Sequence, residues 1–131
     1  MATVRLLSDE EAGAEALATF NDIRVKRQTD YVNNFWRALA NDPATLKATW
    51  ERLQVVMAPG TLDPLVKELI YIAVSAANGC DYCVHSHTAA AKAKGMTPAQ
   101  HGELLAVIAM AAQTNALATA LAVPIDDRFK A

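Results

Sequence analysis

The residues of this chain with chemistry to offer crowd into positions 68–87: Glu68, Cys80, Cys83, His85 and His87, which include both cysteines and two of the three histidines. Asn78-Gly79 reads as a helix end, because glycine accepts the left-handed conformation on which helices stop, and a new helix is expected to start at Cys80 or Asp81. A cysteine in the first turn of a helix lies among unpaired N–H groups at the positive end of the dipole, which favours thiolate over thiol. At helical spacing Cys80, Cys83 and His87 share one face. Glu68 belongs to the preceding helix, on a face that steps of three and four residues carry up to the turn. When two such helices fold back as an antiparallel hairpin, the carboxylate meets the sulfurs and His87 from the facing side.

Two thiols and an imidazole at this spacing suit the reduction of a peroxide or the exchange of a disulfide. A thiolate attacks the O–O bond and becomes a sulfenic acid, and a neighbouring thiol condenses with it to a disulfide. A group that carries protons must stand nearby. His87, one turn beyond Cys83, can serve, with Glu68 orienting and polarising its ring as the acid of a triad does. A second chemistry is metal binding by Cys80, Cys83 and His87 with His85 as a fourth ligand, since zinc accepts mixed sulfur and nitrogen donors. Against it, His85 turns about 200° away from Cys83 at roughly 100° per residue of ideal helix. Taken singly, a buried cysteine serves as a small hydrophobe and a core histidine is satisfied by a hydrogen bond. Glu68 resists so plain a reading, because it is flanked by Leu65, Val66, Leu69 and Ile70 and an interior carboxylate is costly unless paired. His85, His101 and Asp81 read as peripheral.

Glu68, eleven intervening residues, Cys80-x-x-Cys83-x-x-x-His87, with Gly79 before the first cysteine and Lys92, Gly95, Thr97 and Pro98 beyond, resembles the AhpD-like alkylhydroperoxidase branch of the carboxymuconolactone decarboxylase family. The resemblance covers roughly Pro59 to Val123 well and the first third loosely. It implies an all-α domain of about six helices over residues 1–131, with the cysteines at the start of the fifth. It further implies a peroxidase working on organic hydroperoxides, with Glu68, Cys80, Cys83 and His87 as catalytic residues, Cys83 attacking the peroxide and Cys80 resolving. The helix-start argument points the other way, to Cys80 as the more reactive sulfur. The implied reductant is a dithiol, such as a lipoyl group on a carrier protein, or a peroxiredoxin, and the implied assembly is a homo-oligomer, a trimer or hexamer. No cofactor is expected. Founding members carry a histidine between the cysteines where this chain has Tyr82, a poor base with an unperturbed pKa near 10. The family's other activity, decarboxylation of a muconolactone-type acid, needs a cationic substrate site but no dithiol; Lys67 and Lys92 are the basic residues near the motif, and both suit a solvated face.

With 131 residues, 53% apolar and 20% charged, the chain has the length of one domain and more apolar side chains than one domain of that size ordinarily hides. Part of that surplus is expected between subunits. A net charge of −2 gives no electrostatic footprint for nucleic acid or an anionic membrane. The N-terminus turns acidic at Asp9-Glu10-Glu11 where an export signal needs an apolar core, so a cytoplasmic protein is expected. Leu104 to Ile125 has the length of a membrane span, yet Gln113, Thr114, Asn115 and Thr119 interrupt it, and it reads as a helix buried at an interface.

The elements that must hold these groups are announced by their caps. Ser8-Asp9-Glu10-Glu11 forms a capping box and is expected to open a first helix fading near Lys26. Tyr31 to Leu39 is expected as a short second helix with Tyr31, Val32, Phe35, Trp36 and Leu39 in the core. Asp42-Pro43 and Asp63-Pro64 each place a capping aspartate before proline at the first helical position. Lys94-Gly95 closes the cysteine helix, and Thr97-Pro98-Ala99-Gln100 opens a sixth that runs to about Leu121, before Pro124. No segment shows sustained alternation, so strands are not expected.

Overall fold

Each expected helix forms, in the expected order, in the computed structural model, which describes residues 1–130. The elements are α1 (Ala14–Arg27), α2 (Asn34–Leu39), α3 (Pro43–Met57), α4 (Pro64–Ala77), α5 (Asp81–Ala93) and α6 (Pro98–Ala120), followed by a 3₁₀ turn at Asp127–Phe129. There is no strand among the described residues. The helices fall into two compact units, Met1–Ala58 and Pro59–Ala131, each with a core of its own.

In the first unit, α1 and α2 pack on α3 around Ala16, Phe20, Ile23, Val32, Trp36, Ala40, Leu46 and Trp50. The Trp50 indole N–H donates to Asp22 Oδ2 at 2.7 Å, so the largest core side chain keeps its one polar atom satisfied. Two expectations are corrected here. The Ser8 box does form, with Ser8 N–H donating to Glu11 at 3.0 Å and Glu11 N–H to Ser8 Oγ at 3.3 Å, but it closes only an isolated turn, and α1 begins at Ala14 after Gly13. Gly13 interrupts the run, because it lacks the side chain and the helix propensity to carry the turn forward. Similarly, α2 starts at Asn34 rather than Tyr31, and of its aromatic stripe Val32 and Trp36 are buried while Tyr31 and Phe35 are exposed. Arg24 and Arg37 both hold Asp9, at 2.7 and 3.2 Å, and Arg37 also donates to the Leu7 carbonyl, which pins the N-terminal segment onto the helices.

In the second unit, the Asp63 carboxylate caps α4 by accepting the Leu65 N–H at 2.8 Å. Helix α4 then buries Glu68, Ile72 and Ser75 on one face. It stops through a Schellman arrangement: the Gly79 N–H reaches the Ala76 carbonyl and the Cys80 N–H reaches the Ser75 carbonyl at 2.9 Å, with Gly79 at φ +69°. Helix α5 ends on the same device, with Gly95 at φ +96° and the Met96 N–H on the Ala91 carbonyl. Met96 and the fully buried Ala91 join Ile72 in the core of this unit, against which Leu65, Leu69, Leu104 and Ile108 pack. A small residue at position 91 is what lets α4 and α5 approach closely along their length. The reciprocal Thr97–Gln100 capping box then starts α6.

Helix α6 forms as expected, from Pro98 to Ala120. It packs against α4 through Leu104 and Ile108, yet none of its residues is buried within the chain, and Leu105, Val107, Met110 and Leu117 lie exposed. By length and composition it is apolar enough to cross a membrane.

The turn at Gly79 depends on a left-handed backbone that glycine adopts freely. A Cβ there meets nothing within 4 Å, so Gly79→Ala introduces only the left-handed backbone penalty, about 1–2 kcal/mol. Urea unfolding of this variant is expected to show a lower midpoint with an unchanged slope.

Candidate active site

The connection between α4 and α5 is short, Asn78-Gly79-Cys80, and Cys80 serves both helices. Its N–H completes the end of α4, its carbonyl accepts the Val84 N–H, and its sulfur accepts the Cys83 N–H at 3.3 Å as the N-cap of α5. Cys80 and Cys83 are joined as a disulfide, with their Cα atoms 5.3 Å apart. The sequence reading thus placed Cys80 correctly at the helix start, at the cap itself rather than inside the first turn.

Glu68 is 4% exposed, and both its carboxylate oxygens are engaged. Oε2 lies 2.7 Å from His87 Nδ1, and Oε1 lies 2.8 Å from Lys94 Nζ. Burial pushes the Glu68 carboxyl up, but the hydrogen bonds and charges of His87 and Lys94 more than offset it and hold the group below its ordinary value. An ionised carboxylate has only acceptors, so His87 Nδ1 must carry the hydrogen of that bond. Nε2 makes no protein hydrogen bond among the described residues and is the nitrogen left to exchange protons. On its face the imidazole is stacked on Tyr71, with ring centroids 3.5 Å apart and planes 18° from parallel. His87 follows Cys83 by four residues, which places the imidazole one turn, about 6 Å of rise, along α5.

Of the residues singled out from sequence, Glu68 and His87 are in direct contact and Cys80 and Cys83 are bonded to each other. His85 and Asp81 are exposed, as is Tyr82, which turns outward between the two cysteines. Among the described residues no group of three or more His, Cys, Asp or Glu stands in a geometry that holds a metal, so Cys80, Cys83, His85 and His87 do not converge as ligands. Two neighbours went unnoticed in the sequence. Lys94 was read only as a helix end, although it follows His87 by seven residues and so returns to the same face after two turns. Tyr71 follows Glu68 by three residues, a spacing that points it beside the carboxylate.

Known proteins carry the same framework. The profile of the carboxymuconolactone decarboxylase family matches residues 43–126, reaching upstream of Pro59 to take in α3. A crystal structure of an alkylhydroperoxidase AhpD core from Rhodospirillum rubrum is 62% identical and superposes with a TM-score of 0.96, over 100% of this chain and 98% of that one. An alkyl hydroperoxide reductase AhpD from Maricaulis maris is 40% identical over 79 residues, 60% of this chain and 43% of its own. Another from Hyphomonas neptunium is 31% identical over 124 residues, 92% of this chain and 67% of its own. This chain therefore spans less than half the length of the Maricaulis relative. With the profile, the fold and the paired cysteines in agreement, the chain belongs to the carboxymuconolactone decarboxylase family, in its AhpD-like branch.

Proposed function

We propose that the protein is a dithiol peroxidase that reduces organic hydroperoxides and is regenerated by an external dithiol. The observation that carries this reading is the placement of a bonded Cys80–Cys83 pair one turn before an imidazole whose Nδ1–H is held by a buried carboxylate. In the reduced protein, His87 Nε2 takes the proton of Cys83. The thiolate attacks one peroxide oxygen, the O–O bond breaks, and the departing alkoxide recovers that proton from His87 to leave as an alcohol. Cys83 is now a sulfenic acid; the sulfur of Cys80 displaces its hydroxyl as water and the disulfide closes. Two thiols and one hydroperoxide give one disulfide, one alcohol and one water.

The cap geometry bears on the resolving and regenerating steps. The sulfur of Cys80 sits where the N-terminal N–H groups of α5 stabilise negative charge, so in the reduced form it is available as thiolate to attack the sulfenic acid. The same property makes it the better leaving group when a reducing thiol attacks Cys83, because a low-pKa thiol departs faster. The names of the relatives support a hydroperoxide as substrate. The reductant is proposed to be a lipoyl-type dithiol on a carrier protein, or a peroxiredoxin. The uncovered apolar side of α6 supports a homo-oligomer, a trimer or hexamer, in which a second copy covers it.

Three measurements test this. Counting free thiols after one equivalent of an organic hydroperoxide is expected to show both lost in the reduced wild type, and a loss about 10²-fold slower in His87→Ala. Cys80→Ser should keep one rapidly oxidised thiol and Cys83→Ser a sluggish one; the opposite pattern would exchange their roles. Stability should also depend on Glu68 with a defined sign. Its folded carboxyl titrates below the ordinary 4.5, so its contribution is complete above that pH and is lost as pH falls through the folded value. Thermal melts of Glu68→Gln are then expected to show a loss of about 1–3 kcal/mol near neutrality, shrinking in acid. Sedimentation at native concentration is expected to give a multiple of the 14.1 kDa chain, and a monomer would remove the oligomer from this account.

A further inference from the structure

The second oxygen of Glu68 has a partner that peroxide reduction, as described above, does not use. Lys94 caps the C-terminal end of α5 and extends its ammonium to Oε1 at 2.8 Å, while Oε2 is taken by His87. The ammonium is partly solvated and the carboxylate is not, with side-chain exposures of 39% and 5%. Lys94 thus lies at the mouth of the site and neutralises a charge held inside it. Its position is fixed from behind, because the left-handed Gly95 and the Met96 N–H bonded to Ala91 end the helix at this residue.

The charges around the pair are few. From α4 come Glu68 itself and the Tyr71 ring stacked on the imidazole; from α5 come His87 and Lys94. Helix α6 contributes Leu104 and Ile108 to this core and carries His101 and Glu103 as its ionisable residues, while the ion-pair partners of Glu68 among the described residues are His87 and Lys94. Lys92, on the same helix as Lys94, is exposed, and His85 and Asp81 are exposed as well. Lys67 neighbours Glu68 in sequence on α4, and Lys94 is the lysine whose ammonium reaches the carboxylate.

We propose that Lys94 is a positioning residue of this site: by occupying Oε1 of Glu68 it keeps the buried carboxylate ionised and turned so that Oε2 receives the Nδ1–H of His87, which leaves Nε2 as the proton acceptor. The proposal rests on the dithiol peroxidase reading for its catalytic consequence and on geometry for the rest. Without Lys94, a carboxylate so far from water has only the imidazole to share its charge, and the Glu68–His87 pair holds on to a proton to higher pH. A pair that keeps that proton cannot take another from Cys83.

The test is the pH dependence of thiol oxidation by tert-butyl hydroperoxide in reduced wild type, Lys94→Met, Lys94→Arg and the control Lys92→Met, from about pH 5 to about pH 9. In Lys94→Met the acid limb is expected to move up by about one pH unit, with the rate recovering at the alkaline end. Lys94→Arg, which restores the charge, and Lys92→Met, which removes one that touches nothing in the site, should follow wild type. A second readout needs no peroxide chemistry: carboxyl NMR of the disulfide form should show Glu68 titrating at higher pH in Lys94→Met than in wild type. If the wild type fails to consume thiols, the peroxidase reading falls while the NMR titration still judges Lys94. A loss of rate by the same factor at every pH, or an unmoved Glu68 titration in a folded Lys94→Met protein, overturns the proposal.

Discussion

A carboxylate placed inside an apolar face is the constraint to which the rest of this helical pair answers. Glu68 projects from α4 beside Ile72 and Ser75, where water does not reach it, and an ionised group there is tolerated only if its hydrogen-bonding capacity is filled from the protein. Helix α5 fills it at two points seven residues apart, His87 and Lys94, so that one carboxylate reads two points about two turns apart on the facing helix. Sliding α5 by a single turn along α4 would leave an acid unmatched, a penalty that apolar contacts between Ile72, Ala91 and Met96 cannot impose by themselves, because such contacts are non-directional. The polar pair fixes the register and the apolar core supplies the association.

The register then determines where the sulfurs lie. Because Gly79 turns the chain in one residue and Cys80 both finishes α4 and caps α5, there is no slack between the carboxylate's helix and the cysteines. Cys83 follows at the third helical position, and the bond between the two sulfurs closes across a single turn of backbone that is already in place. The helix is nucleated by two N–H bonds to Cys80, from Val84 to its carbonyl and from Cys83 to its sulfur.

Much of this was legible in the residues, and where it was not, the physical reason can be named. Asp42-Pro43, Asp63-Pro64 and Thr97-Pro98 each marked a helix start because a capping acceptor and a residue with no N–H satisfy orphan groups locally, with no help from distant contacts. The same local logic misled at Ser8, whose capping bonds form but whose turn is not extended past Gly13. Tyr31 and Phe35 carried the spacing of a buried stripe, yet burial depends on how many partners a short helix meets, and the six residues of α2 bury Trp36 and half-bury Leu39, with Val32 buried just before them. Lys94 and Tyr71 were missed for a different reason. A lysine at a helix end and a tyrosine in an apolar run are explained so well by dipole and packing that nothing in composition asks for more; only the facing helix reveals what they touch. Helix α6 is apolar nearly all round, and sequence alone cannot say how much of such a helix its own chain covers; none of its residues is buried within this one.

The charge balance of the site explains why such a small set of groups suffices under the proposed mechanism. Glu68 and Lys94 cancel, so the imidazole begins the cycle in a nearly neutral setting despite the buried acid. Moving a proton from Cys83 to His87 creates one positive and one negative charge a helical turn apart, the first facing Glu68 and the second lying near the N-terminal N–H groups of α5. Each new charge therefore appears where an opposite charge or dipole is already fixed. Had Glu68 lacked its second partner, the imidazole would begin the cycle as the sole counter-charge to a buried anion and the proton transfer would start from the wrong side. The lysine at the end of α5 is thus what separates a structural ion pair from one that can pass a proton on.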